Sequence, residues 1–432
     1  MRPPLLALLL LGGLSLSFLF AQQTPLKQRQ PAYKLQKVRF VGSTRYSEEQ
    51  LLSASGLKIG SDMSAQDLQK AASVLSESGG FSEVRYRFDG GEAEYQVADN
   101  PNFVPCVFEN LVWISDQDLL AAISRRLPLF NGKVPLNGNL AANVGKQIEG
   151  ILKEKGIGAT ISEMPAATLN GPVNSIAFSA ATPRVEISDI EFAGASPSQI
   201  PALQKATAPL LGSEYRQTML EDFSTNSLRP IYLNQGYLHV QFSKALATPM
   251  ATSPESAKVK ITVPIEEGPV YHLKALNWPG SNILPAAAAP KLYLLKPGDV
   301  VSQDLLRKSL NNVGATYVAR GYMKATIRGT PTFDDAAHTV AYDIEVVPGD
   351  AYHLRNLEFK NLSDAQLQQV KQVWKLKPGD VYDPTYAPAF LVKNRPSLRA
   401  LDGLSAIWTQ KVDDEARAVD LLLTFRSGGL LK

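Results

Sequence analysis

One phrase recurs along this chain. LKPGDVVSQDLL runs from Leu295 to Leu306, LKPGDVYDPTYA from Leu376 to Ala387, and the looser LKIGSDMSAQDL from Leu57 to Leu68. A repeat constrains a fold more than composition does, because each copy must be one supersecondary unit stacked on its neighbours. The surroundings recur too. Upstream of the phrase stands a strand pattern: YKLQKVRFVG (Tyr33–Gly42), RVEISDIEFAG (Arg184–Gly194), YHLKALNWPG (Tyr271–Gly280) and YHLRNLEFKN (Tyr352–Asn361). Apolar residues alternate in these, roughly at period 2, as in Ile187, Ile190 and Phe192 or Leu354, Leu357 and Phe359.

Between strand and phrase lies a short helix pattern, with Ser47 or Ser363 as N-cap. The Pro-Gly-Asp order of the phrase suits a tight reversal. A second helix succeeds it, with Leu68, Ala71, Ala72 and Leu75 on one face of one copy, and Leu305, Leu306, Leu310, Val313, Tyr317 and Val318 apolar in another. Two strands close the unit, beginning for instance at GYLHVQFSKAL (Gly236–Leu246) or GYMKATIRG (Gly321–Gly329). The unit strand-helix-turn-helix-strand-strand fits at 33–99, 101–182, 183–268, 269–348 and 349–427. The second copy is diverged. The fifth loses its Gly-aromatic opening and carries Pro384, Pro388 and Pro396, which predict a short or broken second helix. The repeated Asp62, Asp299 and Asp380 therefore read as turn residues, not as a dispersed active site.

Composition adds exclusions. With 44 Lys+Arg against 41 Asp+Glu there is no basic block to suit nucleic acid. Leu5–Ala21 is apolar behind Arg2 and reads as an export signal over 1–21, cleaved after Ala21 or retained as an anchor. Cys106 is the only cysteine, so no internal disulfide forms, and its apolar setting predicts a buried, inert thiol.

No HExxH, P-loop, GxGxxG or GxSxG stands in the chain. His272 and His353 hold the same place in two copies, which predicts a shared role at a strand start rather than a metal site; His239 and His338 complete the set. Glu266 and Glu267 predict a solvated strand end, and Tyr237 and Tyr322 predict packing behind helix-stopping glycines. No catalytic residue, metal, cofactor or small-molecule substrate is expected.

The strand VRFVG, the LKPGD turn, the stretch YVARGYMKATI, the closing strand YDIEVVPG and the ending Glu266-Glu267-Gly268-Pro269 resemble the POTRA (polypeptide-transport-associated) domain. The resemblance implies an α+β fold: a tandem array of five β-α-α-β-β modules, each a three-stranded mixed sheet with two helices on one face. In it the last strand is central and the second is an edge. Such arrays are similar to the periplasmic arm of outer-membrane barrel-assembly proteins, but the residues after the fifth copy are too few for a barrel. The same resemblance implies a non-enzymatic, exported protein of the periplasm, associated with the outer membrane through a partner. Unfolded outer-membrane or secreted polypeptides, or a separate β-barrel protein, would bind by strand addition to the edges. The edge candidates are Leu238, Val240, Phe242, Met323, Ala325 and Ile327. The alternative is an envelope scaffold docking one fixed complex. Linkers such as EEGPVYHL and VPGDAYHL are short and predict a semi-rigid array.

Overall fold

The computed structural model describes residues 33–168, 171–394, 401 and 403–427. The export signal and Pro396 lie outside the described residues. The chain divides into two compact units, one holding most of residues 33–179 and the other holding 180–427 with two short earlier stretches. Each contains sheets of one plan. Lys37–Val41, Glu92–Asp99 and Phe81–Asp89 lie side by side in that order. So do His272–Asn277, Thr339–Val347 and Thr326–Asp334, and again His353–Lys360, Ala418–Ser427 and Leu404–Asp413. In each triplet the first-named strand runs parallel to the central one and the last-named runs antiparallel to it, the central strand being the last of the three in the chain. Parallel pairing requires a long crossover, and the two helices supply it. We number the sheets, with their helices, as modules 1 to 5 along the chain.

Two sheets carry a fourth strand that the repeat did not announce. In module 2, Lys133–Pro135 flanks Phe103–Phe108, which pairs with Val173–Thr182 and then Thr160–Ala167. In module 3, Arg184–Ala193 pairs with Ser256–Glu266, and that central strand meets Gln241–Phe242 at one end and Leu246–Thr252 at the other. Pro264 can sit in this central strand because the edge chain leaves it between residues 242 and 246, where only a carbonyl is asked for: the Ser243 amide donates to Pro264 O at 3.1 Å.

The central strand explains the core. Ala257, Val259, Ile261, Val263 and Ile265 are buried, and the residues between them are not. That face packs on Leu203, Leu220, Leu228 and Tyr232 of the helical layer, while the opposite face stays open. Each such aliphatic side chain stabilises by roughly 1.5–3 kcal/mol on burial. The module 5 core is aromatic: Trp374 meets Phe359, Tyr386 and Phe390 edge-on at 4.7–5.3 Å.

Ser47 and Ser363 cap where the sequence places them, and Ser64 and Ser302 cap the second helices of modules 1 and 4; Ser47, Ser64 and Ser363 each close a capping box. The Pro388 helix is short, Tyr386–Asn394. Module 4 replaces its first helix by a 3-10 turn, Ala286–Lys291, which follows Pro285 and contains Pro290. The loose period of the first strands has a cause. A bulge falls between Ile187 and Asp189, between Leu273 and Ala275, and between Leu354 and Asn356, so apolar residues resume three positions on.

Candidate functional site

The repeated phrase is a docking turn. Lys296-Pro297-Gly298-Asp299 closes with the Asp299 amide on Lys296 O at 3.0 Å, Pro at the second position and Gly at the third with φ +95°. That is the arrangement a type II turn demands. The Asp299 carboxylate accepts from the Lys296 amide at 2.8 Å, and Asp380 does the same for Lys377 at 2.7 Å. The turn then grips the first strand: Gly298 N donates to Leu273 O at 2.7 Å and Leu273 N to Asp299 O at 2.8 Å. His272 and His353 reach the carbonyls of Gly298 and Gly379 from the strand start, at 3.0 and 3.2 Å. Asp62 is not the third member of the set. Ser61 holds that place and its hydroxyl donates to Lys58 O at 2.6 Å, whereas Asp62 pairs with Lys34 in a two-residue bridge.

With one side of each sheet braced in this way, the opposite strand is free. Phe81–Asp89, Leu246–Thr252, Thr326–Asp334 and Leu404–Asp413 each pair with the central strand alone among the described residues. Alternate N–H and C=O groups of an edge strand point away from its partner and are open to another chain.

Of the six edge candidates read from the sequence, only Phe242 and Ile327 lie in strands. Leu238, Val240, Met323 and Ala325 precede the strands, in the turns after Gly236 and Gly321. Their alternation serves packing. Val240 is buried in module 3, and Ala325 packs within module 4. Leu238 instead packs on the core of module 4 around Tyr271 and Leu273, and Met323 on that of module 5. These four are therefore core or junction residues, and the edges begin later than expected.

Two of the edges are interrupted. Leu246–Thr252 contains Pro249 and a bulge, and Thr326–Asp334 contains Pro331. Both prolines remove a donor from the strand that carries them. Phe81–Asp89 is proline-free but charged, with Arg85 against Glu83 and Arg87 against Glu94 at 3.0 Å. Leu404–Asp413 is the least guarded: it is ten residues long, lacks proline, carries charge only near its end at Lys411 and Asp413, and exposes Ile407 at 46 % and Trp408 at 42 %. Its inner neighbours are fixed, since Leu404 and Ala406 pack on the core and Gln410 accepts from the Tyr382 hydroxyl at 2.8 Å. Sequence reading missed this edge because the usual Gly-aromatic opening is absent; the signal that remained was the run LSAIWTQKV itself.

The electrostatics beside this edge are ordered. Arg355, at the bulge, donates to Asp413 and to both oxygens of Asp420, each at 2.8–2.9 Å. The guanidinium holds the Asp420 carboxyl down at about 2; the Ala416 amide, and after it the guanidinium, hold Asp413 below the usual range. Glu267 is more than a solvated end. It accepts from the Ser196 amide and hydroxyl and from the Tyr232 hydroxyl at 2.8–3.1 Å, tying the loop after the first strand of module 3. Burial pushes the Cys106 thiol up to about 12, which removes the thiolate at neutral pH. Tyr237 and Tyr322 pack edge-on against Tyr232 and Tyr317.

Residues 33–102 and 271–349 match the family model of POTRA, described as the surface antigen variable number repeat. These two segments are POTRA domains. Among solved structures, the chain is similar to BamA POTRA3-5 from Haemophilus influenzae, at 20% identity over 56% of this chain and 96% of that one, with a TM-score of 0.40. It is also similar to POTRA1-3 of the periplasmic domain of Omp85 from Anabaena, at 17% identity, 57% and 97% coverage and a TM-score of 0.26. CdiB from Escherichia coli matches at 15% identity, 56% and 37% coverage and a TM-score of 0.20. The POTRA assignment itself rests on the family match and on the strand order of modules 1 and 4.

Proposed function

We propose that this chain is a non-enzymatic POTRA array of the periplasm, with the five modules spanning 33–99, 101–182, 183–268, 269–348 and 349–427. It acts in outer-membrane protein assembly by adding an extended polypeptide strand to an open sheet edge. The observation that carries this reading is the proline-free edge Leu404–Asp413, a ten-residue strand that, among the described residues, pairs with the central strand alone. Backbone bonding reads little sequence, which suits unfolded outer-membrane or secreted polypeptides, or one strand of a separate β-barrel protein. The apolar Ile407 and Trp408 favour the alternating apolar strands that barrels contain. The prolines at 249 and 331 make the edges of modules 3 and 4 secondary sites.

The test is a pair of substitutions. Neighbouring residues of an antiparallel edge strand direct their N–H groups to opposite sides, so of Ile407→Pro and Trp408→Pro one removes an outward donor and the other an inward one. The outward variant is expected to keep the fold and bind an unfolded barrel protein weakly; the inward variant loses the strand. Equal binding by a folded variant and the native chain would overturn the reading. A single stoichiometric envelope partner, with no affinity for unfolded barrels, would favour the fixed scaffold.

A further inference from the structure

The junctions between modules 3 and 4 and between modules 4 and 5 are built from equivalent residues. At each, a helix ends in a glycine with φ +86°, Gly236 or Gly321. Its carbonyl accepts from the amide of the tyrosine that opens the next module, Tyr271 at 2.8 Å or Tyr352 at 2.9 Å. Those tyrosines are almost fully buried. Each hydroxyl donates to an aspartate in the hairpin of its own module, Asp335 at 2.6 Å or Asp414 at 2.8 Å. Three residues after the glycine, the preceding module supplies the last member. At the second junction this is Lys324, with Nζ 2.7 Å from Asp414. At the first it is His239, with Nδ1 3.2 Å from the Tyr271 hydroxyl.

The two clamps differ in the kind of cation. A lysine against an aspartate keeps both charges across the neutral range. A histidine changes charge between pH 5 and 8. The proton balance fixes how His239 acts. Tyr271 has one hydroxyl proton, and it goes to Asp335, so the contact to His239 needs an N–H from the imidazole. That bond is neutral when the ring is neutral and charge-assisted when the ring is protonated, roughly doubling its strength. Protonation also places a cation 4.5 Å from the Phe333 ring centroid.

We propose that the cation-tyrosine-aspartate cluster is a clamp between successive modules, and that His239 makes the clamp between modules 3 and 4 tighten on acidification while Lys324 keeps that between modules 4 and 5 closed throughout. The surroundings fit this assignment. From module 4, His239 faces Tyr271 and Phe333 and reaches Asp335 only through the Tyr271 hydroxyl; Asp334 alongside pairs with Lys274 at 3.7 Å, and His338 lies beyond the tyrosine ring, 6.1 Å from it. From its own module it meets the turn at Gly268, where Glu267 is already held by Ser196 and Tyr232. Asp335, across the Tyr271 hydroxyl, is the carboxylate in line with a protonated His239.

The added attraction is present where the imidazole carries its extra proton and absent where the ring is neutral. Exchanging a charge-assisted bond for a neutral one changes the open-to-closed ratio about fivefold. The experiment uses the full chain with Cys106→Ser and dye pairs read by single-molecule fluorescence transfer. One pair sits at Glu255→Cys and Thr330→Cys, across modules 3 and 4; the other at Thr330→Cys and Glu415→Cys, across modules 4 and 5. Between pH 5 and 8 the first pair is expected to gain an open population about fivefold, and the second to stay constant. His239→Lys should keep the first junction closed at both pH values. Lys324→His should transfer the pH response to the second, a gain that damage to folding cannot imitate. A first junction indifferent to pH, a response that survives His239→Lys, or no response in Lys324→His would each overturn the proposal.

Discussion

Gly298 and Gly321 separate two reasons for a glycine. Both have left-handed backbones, at φ +95° and +86°. At Gly298 a Cβ would meet nothing within 4 Å, so Gly298→Ala costs only the backbone conformation, about 1–2 kcal/mol. At Gly321 a Cβ would lie 2.5 Å from a Val381 methyl and 3.0 Å from Tyr352 O. The methyl can turn aside but the carbonyl cannot, which adds about 1–3 kcal/mol of overpacking. The sum is roughly 2–5 kcal/mol, placed on the contact between modules 4 and 5. Hydrogen exchange resolved by residue reads the difference. The Tyr352 amide, bonded to Gly321 O, should exchange roughly thirtyfold faster or more in Gly321→Ala and be unmoved in Gly298→Ala. In Gly298→Ala the loss should appear at Leu273, whose amide bonds to Asp299 O. Equal acceleration of Tyr352 in both variants would refute the reasoning, because then the wall at Gly321 contributes nothing.

Further outcomes can be checked separately. Module 5 should lose stability as pH falls from about 4 toward 2, because the Asp420 carboxyl is held at about 2 when folded and sits near 3.9 when unfolded; Arg355→Ala should flatten that part of a denaturation-against-pH curve. Cys106, half-buried, should react with maleimide at pH 8 more slowly in the folded chain than after unfolding, and equal rates in both states would contradict its desolvation. Trp374→Ala should cost module 5 about 3–5 kcal/mol, read as protection lost in 353–427 with modules 3 and 4 retained.

Local chemistry carried much of the fold into the sequence. Ser47, Ser64, Ser302 and Ser363 cap because a hydroxyl before a helix meets its free amides, whatever packs above. Pro-Gly-Asp announces its turn for the same reason. The edges were less legible. Leu238 and Met323 continue an alternating pattern that looks like a strand, yet the pattern serves the neighbouring module's core, and period alone does not say which core an apolar residue enters. The bulges were visible as a three-residue step between apolar positions, read as loose alternation. Tyr271 and Asp335, 64 residues apart, form a contact that no local pattern encodes.

The central claim is that an edge strand receives a polypeptide. The most direct measurement places a photocrosslinking residue in turn at each position from 404 to 413 of the full chain, irradiates it with an unfolded barrel protein, and maps the adducts by mass spectrometry. Strand addition predicts adducts at these edge positions, each joined to a client residue that shifts in step along one extended segment, and their loss in the outward proline variant. Adducts without a common register, or none from this strand, would contradict the account.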